Sequence, residues 1–105
     1  MTDILDQLAA TIASRKGSDP KASYTASLLA KGTGKCAEKF GEEAVEAIVA
    51  AARGDRAALT SEAADVVYHL LVMLTAGDVT LDDVRAELAR REGVSGHAEK
   101  AARKG

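Results

Sequence analysis

Apolar and polar residues alternate along this 105-residue chain with the period of an α-helix. Apolar side chains return every three or four positions, the spacing that places them on one face of a helix. Stretches containing glycine, serine, aspartate or proline interrupt this pattern and separate the helices. The predicted helices cover residues 2–16, 24–31, 35–53, 56–76 and 81–91. The pattern therefore predicts an all-α fold, a four-to-five-helix bundle with a central antiparallel helix hairpin.

Each predicted helix carries an apolar stripe that is expected to pack. The stripes contain Ile4, Leu5, Leu8 and Ile12; Leu28 and Leu29; Val45, Ile48, Val49 and Ala52; Ala63, Val66, Leu70, Leu71 and Leu74; and Val84 and Leu88. Apolar residues make up 47% of the chain but aromatic residues only 3%, and alanine supplies much of the apolar count. Because small side chains bury little area, we expect a second copy of the chain to complete the core as a homo-oligomer.

The two longest helices place four carboxylates at matching heights. Glu46 lies eight positions before Gly54 and Glu62 lies eight after it, while Glu43 and Asp65 lie eleven positions before and after. If the helices fold back antiparallel at this glycine, the two pairs sit roughly 12 and 16 Å from the turn, at ~1.5 Å rise per residue. The hairpin is therefore predicted to bring the four carboxylates together.

The negative charges of such a cluster need to be compensated. Two like charges ~6 Å apart repel by about 3 kcal/mol at an effective dielectric near 20. The carboxylates must then splay into water, hold protons or surround a cation, and oxygen ligands without cysteine or histidine favour Mg²⁺, with Mn²⁺ as the alternative. The competing interpretation is a solvated charged face in which Lys39 pairs with Glu43. Against it, Glu38, Glu42 and Glu46 repeat like charge at i, i+4.

Two further features are candidates for binding an anion. Segment 31–35 reads Lys-Gly-Thr-Gly-Lys, which is not a Walker A loop; it is either an anion site at a helix start or a plain connector. His69 forms a polar seam with Glu62 and Asp65 along the fourth helix. It is either a structural histidine or a residue near the metal, where Asp65 hydrogen-bonds its ring and a cationic imidazole meets a phosphate.

Composition limits the classes of protein to which the chain can belong. The net charge is −2 and the isoelectric point about 5.6, with no basic stripe, so nucleic acid is not an expected partner. No apolar run approaches the ~20 residues that span a bilayer, and the N-terminus does not read as a secretory signal. Cys36 is the single cysteine, which fits a reducing compartment. We expect a cytoplasmic protein.

Four phrases in the chain match a known family. They are Ser23-Tyr-Thr-Ala-Ser-Leu-Leu-Ala-Lys-Gly-Thr33, Lys39-Phe-Gly-Glu-Glu-Ala-Val-Glu46, Glu62-Ala-Ala-Asp-Val-Val-Tyr-His-Leu-Leu71 and Leu81-Asp-Asp-Val84. Together they cover most of residues 2–92, and they resemble the phosphoribosyl-ATP pyrophosphatases of histidine biosynthesis, a branch of the MazG-type all-α nucleotide pyrophosphohydrolases. The carboxylate pattern belongs to the whole superfamily, whereas the first phrase and the Tyr-His-Leu-Leu run point to this branch.

The resemblance implies Mg²⁺-dependent hydrolysis of phosphoribosyl-ATP to phosphoribosyl-AMP and pyrophosphate by a homodimer. The expected site residues are Glu43, Glu46, Glu62 and Asp65 as metal ligands, Glu42 to activate water or bind a second ion, and Lys31, Lys35, Lys39, Tyr24, Ser27 and His69 toward the substrate. The alternatives are a housekeeping nucleoside triphosphate pyrophosphohydrolase of the MazG type and a non-catalytic helical dimerisation module. Residues 1–92 are expected to form the catalytic domain and residues 93–105 a polar tail, either mobile or weakly helical over 97–103.

Overall fold

The computed structural model of the chain describes residues 3–93 and, beyond them, residues 96 and 103. Residues 3–93 contain five helices and no strand, which confirms the all-α prediction. The helices are α1 (Ile4–Ser14), α2 (Tyr24–Ala30), α3 (Thr33–Ala52), α4 (Arg56–Ala76) and α5 (Leu81–Arg91). The helix considered from the sequence over 97–103 lies outside the described residues, apart from Arg103.

Side-chain caps define where most of these helices begin. Asp3, Ser23 and Asp55 each accept a hydrogen bond from a backbone N–H three residues later, at the starts of α1, α2 and α4. Thr80 and Asp83 form a reciprocal capping box at α5. Each cap satisfies N–H groups that the first helical turn leaves without partners.

Helix α3 begins earlier than the sequence predicted. It follows Gly32, whose φ of +94° turns the chain, and its first turn includes Thr33 and Gly34, which lie before the predicted start at residue 35. The Thr33 Oγ1 donates a hydrogen bond of 3.0 Å to the carbonyl oxygen of Ala76, the last residue of α4. This bond fastens the start of α3 to the end of α4.

Helices α3 and α4 form the predicted hairpin and make the most extensive helix–helix contact in residues 3–93. Arg53 ends α3 and Asp55 caps α4, with Gly54 between them at a φ of +71°. Glycine has no Cβ, so it adopts this left-handed conformation without the strain that other residues incur. The sharp reversal sets the register on which the site depends.

The core lies where α1, α2 and α3 meet α4. Its buried residues are Ile12, Leu28, Cys36, Leu71 and Val72, with Leu8, Leu29, Tyr68 and Leu74 among those packed around them. The Cys36 thiol donates to the carbonyl oxygen of Leu28, and Thr25 and Tyr68 share a hydrogen bond between α2 and α4. Among the described residues, α4 is the one helix long and apolar enough to cross a membrane, but it packs here against three other helices.

Several apolar residues predicted to pack remain exposed in the single chain. Val45, Ile48 and Val49 on α3 are 58%, 65% and 46% exposed. On α5, Leu88 is 59% exposed, so the prediction that it points inward was wrong for this chain. The predicted arc of α4 is also divided, because Leu71 is buried whereas Ala63 is exposed. Helices α1 and α2 therefore leave part of the α3–α4 hairpin exposed.

Candidate active site

The α3–α4 hairpin brings carboxylates together as its register predicted. One oxygen each from Glu43, Glu62 and Asp65 lie within 4.8 Å of one another. Glu43 and Glu62 are partly buried and Asp65 is exposed, so the set opens to solvent on one side. Three anionic oxygens at this separation match the donor set of a hard divalent cation.

Glu46 joins these three residues as the fourth member of the carboxylate cluster. A hydrogen bond with Glu46 raises the pKa of Glu43 above its usual value, and burial and the neighbouring negative charges add to this effect. Burial raises the pKa of Glu62, and the charges of Glu46 and Asp65 raise it further. The cluster therefore holds protons, or another cation, more tightly than isolated carboxylates do.

One carboxylate oxygen of the cluster is buried without a hydrogen-bond partner in the described part of the chain. The Oε2 atom of Glu62 is buried and has no hydrogen-bond partner among the described residues. Leaving a charged acceptor without a partner in a buried position is costly. A cation held between Glu62 and its neighbours would satisfy this oxygen and reduce the repulsion, so the residues present fit a divalent metal ion.

His69 lies next to the cluster, buried in the α3–α4 interface. It is 5% exposed, its Nδ1 has no hydrogen-bond partner, and Tyr68 meets its ring edge-on at 4.9 Å. Burial lowers the pKa of His69, and the charge of Lys39 lowers it further, against the opposing charges of Asp65 and Glu42. The expectation of a cationic imidazole is therefore corrected: the ring is neutral near pH 7. The predicted hydrogen bond in which Asp65 accepts from the His69 ring is not made at Nδ1.

The structure divides the other predicted site residues into two groups. Lys39 approaches Glu42 at 3.6 Å and is close enough to influence His69, so these two predicted residues border the cluster. The remaining residues have other described contacts or none to the cluster: Lys35 pairs with Glu38 at 3.4 Å, Ser27 Oγ donates to the carbonyl oxygen of Tyr24, and no described hydrogen bond or ion pair links Lys31 to a carboxylate. The roles of Lys31, Lys35, Tyr24 and Ser27 stay predictions.

A groove that the sequence analysis missed extends from the cluster to the hairpin turn. This hairpin groove has a volume of about 250 Å³. Its lining comprises Glu46 and Glu62 at the cluster end, Val45, Val49, Ala50 and Ala58 along the walls, and Arg53 and Asp55 at the turn end. The sequence signal was the spacing: Arg53 follows Glu46 by seven residues, two helical turns, and so lies on the same face of α3.

Comparison with known proteins gives one family. The PRA-PH family model, described as phosphoribosyl-ATP pyrophosphohydrolase, matches residues 5–92. The chain is 71% identical over 100 residues to the phosphoribosyl-ATP pyrophosphatase of Cereibacter sphaeroides, covering 95% of this chain and 97% of the relative. It is also 71% identical over 100 residues to the proteins of that name from Dinoroseobacter shibae and Ruegeria pomeroyi, with 95% of this chain and 98% and 95% of those relatives covered.

Proposed function

We propose, because the chain belongs to the phosphoribosyl-ATP pyrophosphohydrolase family, that it hydrolyses phosphoribosyl-ATP to phosphoribosyl-AMP and pyrophosphate, the second step of histidine biosynthesis. The bond broken is a phosphoanhydride, and the reaction needs a water activated near neutral pH and compensation for the negative charge that develops on the phosphates. The carboxylate cluster, with its buried unpaired oxygen, is the observation that carries this proposal.

Glu43, Glu46, Glu62 and Asp65 would hold Mg²⁺, or Mn²⁺ in its place. The choice of a hard ion follows from a donor set made of carboxylate oxygens. When bound, the ion supplies charge neutralisation at the phosphates and lowers the pKa of water. Glu46, three residues after Glu43, lies close enough to raise the pKa of Glu43, so the two carboxylates of α3 are near each other.

Glu42 is the residue proposed to activate water. Its side chain is 55% exposed and lies beside Lys39, so it reaches solvent next to the cluster without being buried in it. A carboxylate in this position can accept a proton from a water that faces the substrate. The alternative role left open by the sequence, ligation of a second ion, uses the same side chain.

Cationic and polar groups on the neighbouring turns are proposed to bind the phosphates. Lys39 is best placed, because it approaches Glu42 at 3.6 Å and lies close enough to influence His69. Lys31 and Lys35 would add positive charge at the start of α3, with Tyr24 and Ser27 on α2 as further contacts.

We also propose that the active enzyme is a homodimer in the cytoplasm. The side chains of Val45, Ile48 and Val49 on α3 are exposed, and Leu59 on α4 is 37% exposed as well. Apolar residues repeated at helical spacing on one side of a hairpin suit packing against a second hairpin of the same kind. A buried free cysteine is consistent with a reducing compartment.

The decisive experiment offers the purified protein phosphoribosyl-ATP beside a panel of ordinary nucleoside triphosphates, with Mg²⁺, and measures pyrophosphate release. We expect phosphoribosyl-ATP to be the preferred substrate by kcat/KM. A preference for ordinary triphosphates would indicate a housekeeping pyrophosphohydrolase instead. No turnover, together with no Mg²⁺ uptake in calorimetry, would leave a helical dimerisation module.

A further inference from the structure

Helix α2 is fastened by hydrogen bonds to both of the helices that carry the candidate site. The Cys36 thiol of α3 donates to the carbonyl oxygen of Leu28 at 3.2 Å. On the other side, Thr25 shares a hydrogen bond with the hydroxyl of Tyr68 on α4. Because Thr25 and Leu28 are three residues apart, the two bonds come from neighbouring turns of α2. The short helix therefore links α3 to α4.

Both attachment points lie one helical turn from residues of the site. Cys36 precedes Lys39 by three residues on α3, and Tyr68 follows Asp65 by three residues on α4. Residues at this spacing are neighbours on a helix surface, with a rise of about 4.5 Å between them. Helix α2 is thus attached beside the candidate site on each of the two long helices.

Tyr68 connects α2 with the buried part of the site. Its hydroxyl binds Thr25, and its ring meets the ring of His69 edge-on, with centroids 4.9 Å apart. Burial lowers the pKa of His69, and the charges of Lys39 and Asp65 also act on it, so the His69 ring lies near both. One side chain therefore contacts α2 through its hydroxyl and a neighbour of the carboxylate cluster through its ring.

The two bonds secure different parts of α2. Ala26 and Leu28 are each 2% exposed, so burial holds this part of the helix in place. Thr25 and Tyr68 are only partly buried, and Tyr24, which begins the helix, is 58% exposed. A helix of seven residues is too short to be stable by itself. The first turn of α2 therefore depends on the bond between Thr25 and Tyr68.

We propose that Tyr68 is a positioning residue for substrate binding, whose hydrogen bond with Thr25 holds the first turn of α2 beside the site. The inference rests on the proposed function, in which Tyr24 and Ser27 of α2 contact the substrate. Tyr68 acts through α2 and does not touch the reacting atoms. Removing its hydroxyl should therefore weaken substrate binding and leave the carboxylate cluster unaffected.

The first test is a double-mutant cycle in steady-state hydrolysis of phosphoribosyl-ATP. Tyr68→Phe and Thr25→Val each remove one hydroxyl and preserve the shape of the side chain. Loss of a neutral hydrogen bond remote from the bond being broken should raise KM about 3- to 10-fold, with little change in kcat or in the Mg²⁺ concentration that gives half-maximal rate. Thr25→Ser keeps the hydroxyl and should retain the wild-type KM.

The double variant shows whether the two residues act through one bond. If they do, Tyr68→Phe combined with Thr25→Val should raise KM no further than either change alone. Additive increases would mean that the two hydroxyls act separately, and this would overturn the proposal. A fall in kcat or a weaker response to Mg²⁺ in Tyr68→Phe would also overturn it, because the effect would then lie at His69 and the carboxylates.

Asp6→Asn is the matched control for a general loss of stability. Asp6 accepts a hydrogen bond of 2.6 Å from Arg85, which joins α1 to α5, two helices without a proposed site residue. We expect this variant to have a lower Tm and the wild-type KM. An equal rise of KM in Asp6→Asn and Tyr68→Phe would show that destabilisation alone raises KM, and the positioning role would be wrong.

The second test needs no turnover. Amide hydrogen exchange over residues 26–30 reports how often α2 opens. We expect faster exchange there in Tyr68→Phe than in wild type, with α3 and α4 unchanged around the carboxylate cluster, and no effect on α2 in Asp6→Asn. Unchanged exchange in α2 of Tyr68→Phe would show that the hydroxyl does not hold this helix, which contradicts the proposal.

These measurements separate the two levels of inference. If the wild-type protein fails to hydrolyse phosphoribosyl-ATP, the proposed function is wrong, and hydrogen exchange alone decides whether Tyr68 holds α2. If hydrolysis is normal and Tyr68→Phe speeds exchange in α2 without raising KM, the bond is purely structural. In that case the positioning proposal is wrong and the function stands.

Discussion

At the scale of single residues, the site is an arrangement of carboxylates that repel one another in the folded chain. Two features show that this arrangement is costly. The pKa values of Glu43 and Glu62 are raised, and one buried oxygen of Glu62 has no described hydrogen-bond partner. Proteins tolerate such local cost where it serves binding or catalysis. The same side chains that destabilise the metal-free fold are therefore expected to stabilise it when a cation is present.

Glu46→Gln is expected to separate stability from activity. The change removes a negative charge next to Glu43 and Glu62, so the Tm of the metal-free protein should stay equal or rise, as scanning calorimetry in EDTA would record. Loss of a metal ligand should lower kcat/KM for phosphoribosyl-ATP at least ~100-fold. Glu38→Gln is the control on the same helix, because Glu38 contacts Lys35 rather than the cluster. Normal turnover by Glu46→Gln across an Mg²⁺ titration would contradict the ligand assignment.

The cluster should also give the metal-free protein an unusual pH dependence. Glu43 and Glu62 bind protons more tightly in the folded chain than at their ordinary pKa of 4.5, so the folded state holds more protons just above that pH. The free energy of unfolding should then fall as pH rises above about 4.5, because deprotonation is resisted only in the folded state. Mg²⁺ should reverse this loss by compensating the charge.

Comparison of wild type with Glu62→Gln isolates this effect in urea unfolding measured at several pH values. Other groups act in the opposite direction: Arg90 and Arg91 hold the pKa of Glu87 at about 2, and the stability from that contact is lost on acidification. The difference between the two proteins cancels such contributions. A difference that does not change between about pH 4.5 and 8 would show that Glu62 titrates normally.

The placement and charge of the site residues could be predicted from the sequence only where helical geometry alone determines them. The meeting of Glu43, Glu62 and Asp65 required nothing beyond their distances from Gly54. The neutral state of His69 was not predictable, because it depends on burial by surrounding helices and on Lys39 from α3.

At the scale of elements, the hairpin depends on a glycine at the turn and tolerates another in the middle of a helix. Gly54 has a φ of +71°, whereas Gly41 lies inside α3 with ordinary helical backbone. A Cβ added at either position would meet nothing within 4 Å. Among the described residues, no neighbouring group approaches Gly41 closely.

Alanine at these two glycines should therefore have opposite effects on stability. Gly54→Ala forces a left-handed conformation on a residue with a Cβ and should destabilise by about 1–2 kcal/mol. Gly41→Ala should stabilise by about 1 kcal/mol, since alanine favours the helix. Urea unfolding monitored by circular dichroism measures both. A loss of stability or dimerisation in Gly41→Ala would show that a second chain approaches at that glycine.

The starts of α4 and α5 were predicted well, whereas α1 begins at Ile4, two residues later than predicted. The starts of α4 and α5 follow from Asp55 and Thr80, whose capping chemistry is local. The start of α3 was placed two residues late, because Gly-rich sequence normally favours a loop. The bond from Thr33 to the end of α4 is a long-range contact that no local pattern contains.

At the scale of the whole molecule, the single chain leaves apolar surface exposed to solvent. The apolar stripe of α3 was predicted from its spacing, but the sequence could not show that Val45, Ile48 and Val49 remain exposed in the single chain. Exposed apolar residues in a row usually mark an interface. The small core of residues 3–93 fits a protein that gains further stability by assembling.

Ile48→Asp should therefore disrupt the proposed dimer. Ile48 is 65% exposed and lies among Val45 and Val49, so a charge there would be buried at a hairpin–hairpin interface. Sedimentation velocity should show a monomer at concentrations where wild type is a dimer, and Tm should fall. Leu88→Asp is the control, because Leu88 is similarly exposed on α5, away from this stripe. Equal sedimentation of the two variants would argue against this interface.

The thiol of Cys36 has a practical consequence for work with the protein. It is the single sulfhydryl in the chain, it is 0% exposed, and burial raises its pKa, so little thiolate forms and no reagent reaches it. The Cys36 thiol of the native protein should resist alkylation and oxidation without added reductant. Any modification of Cys36 that does accumulate must pass through a local opening of the helix bundle. The rate of thiol labelling therefore measures how often the bundle opens.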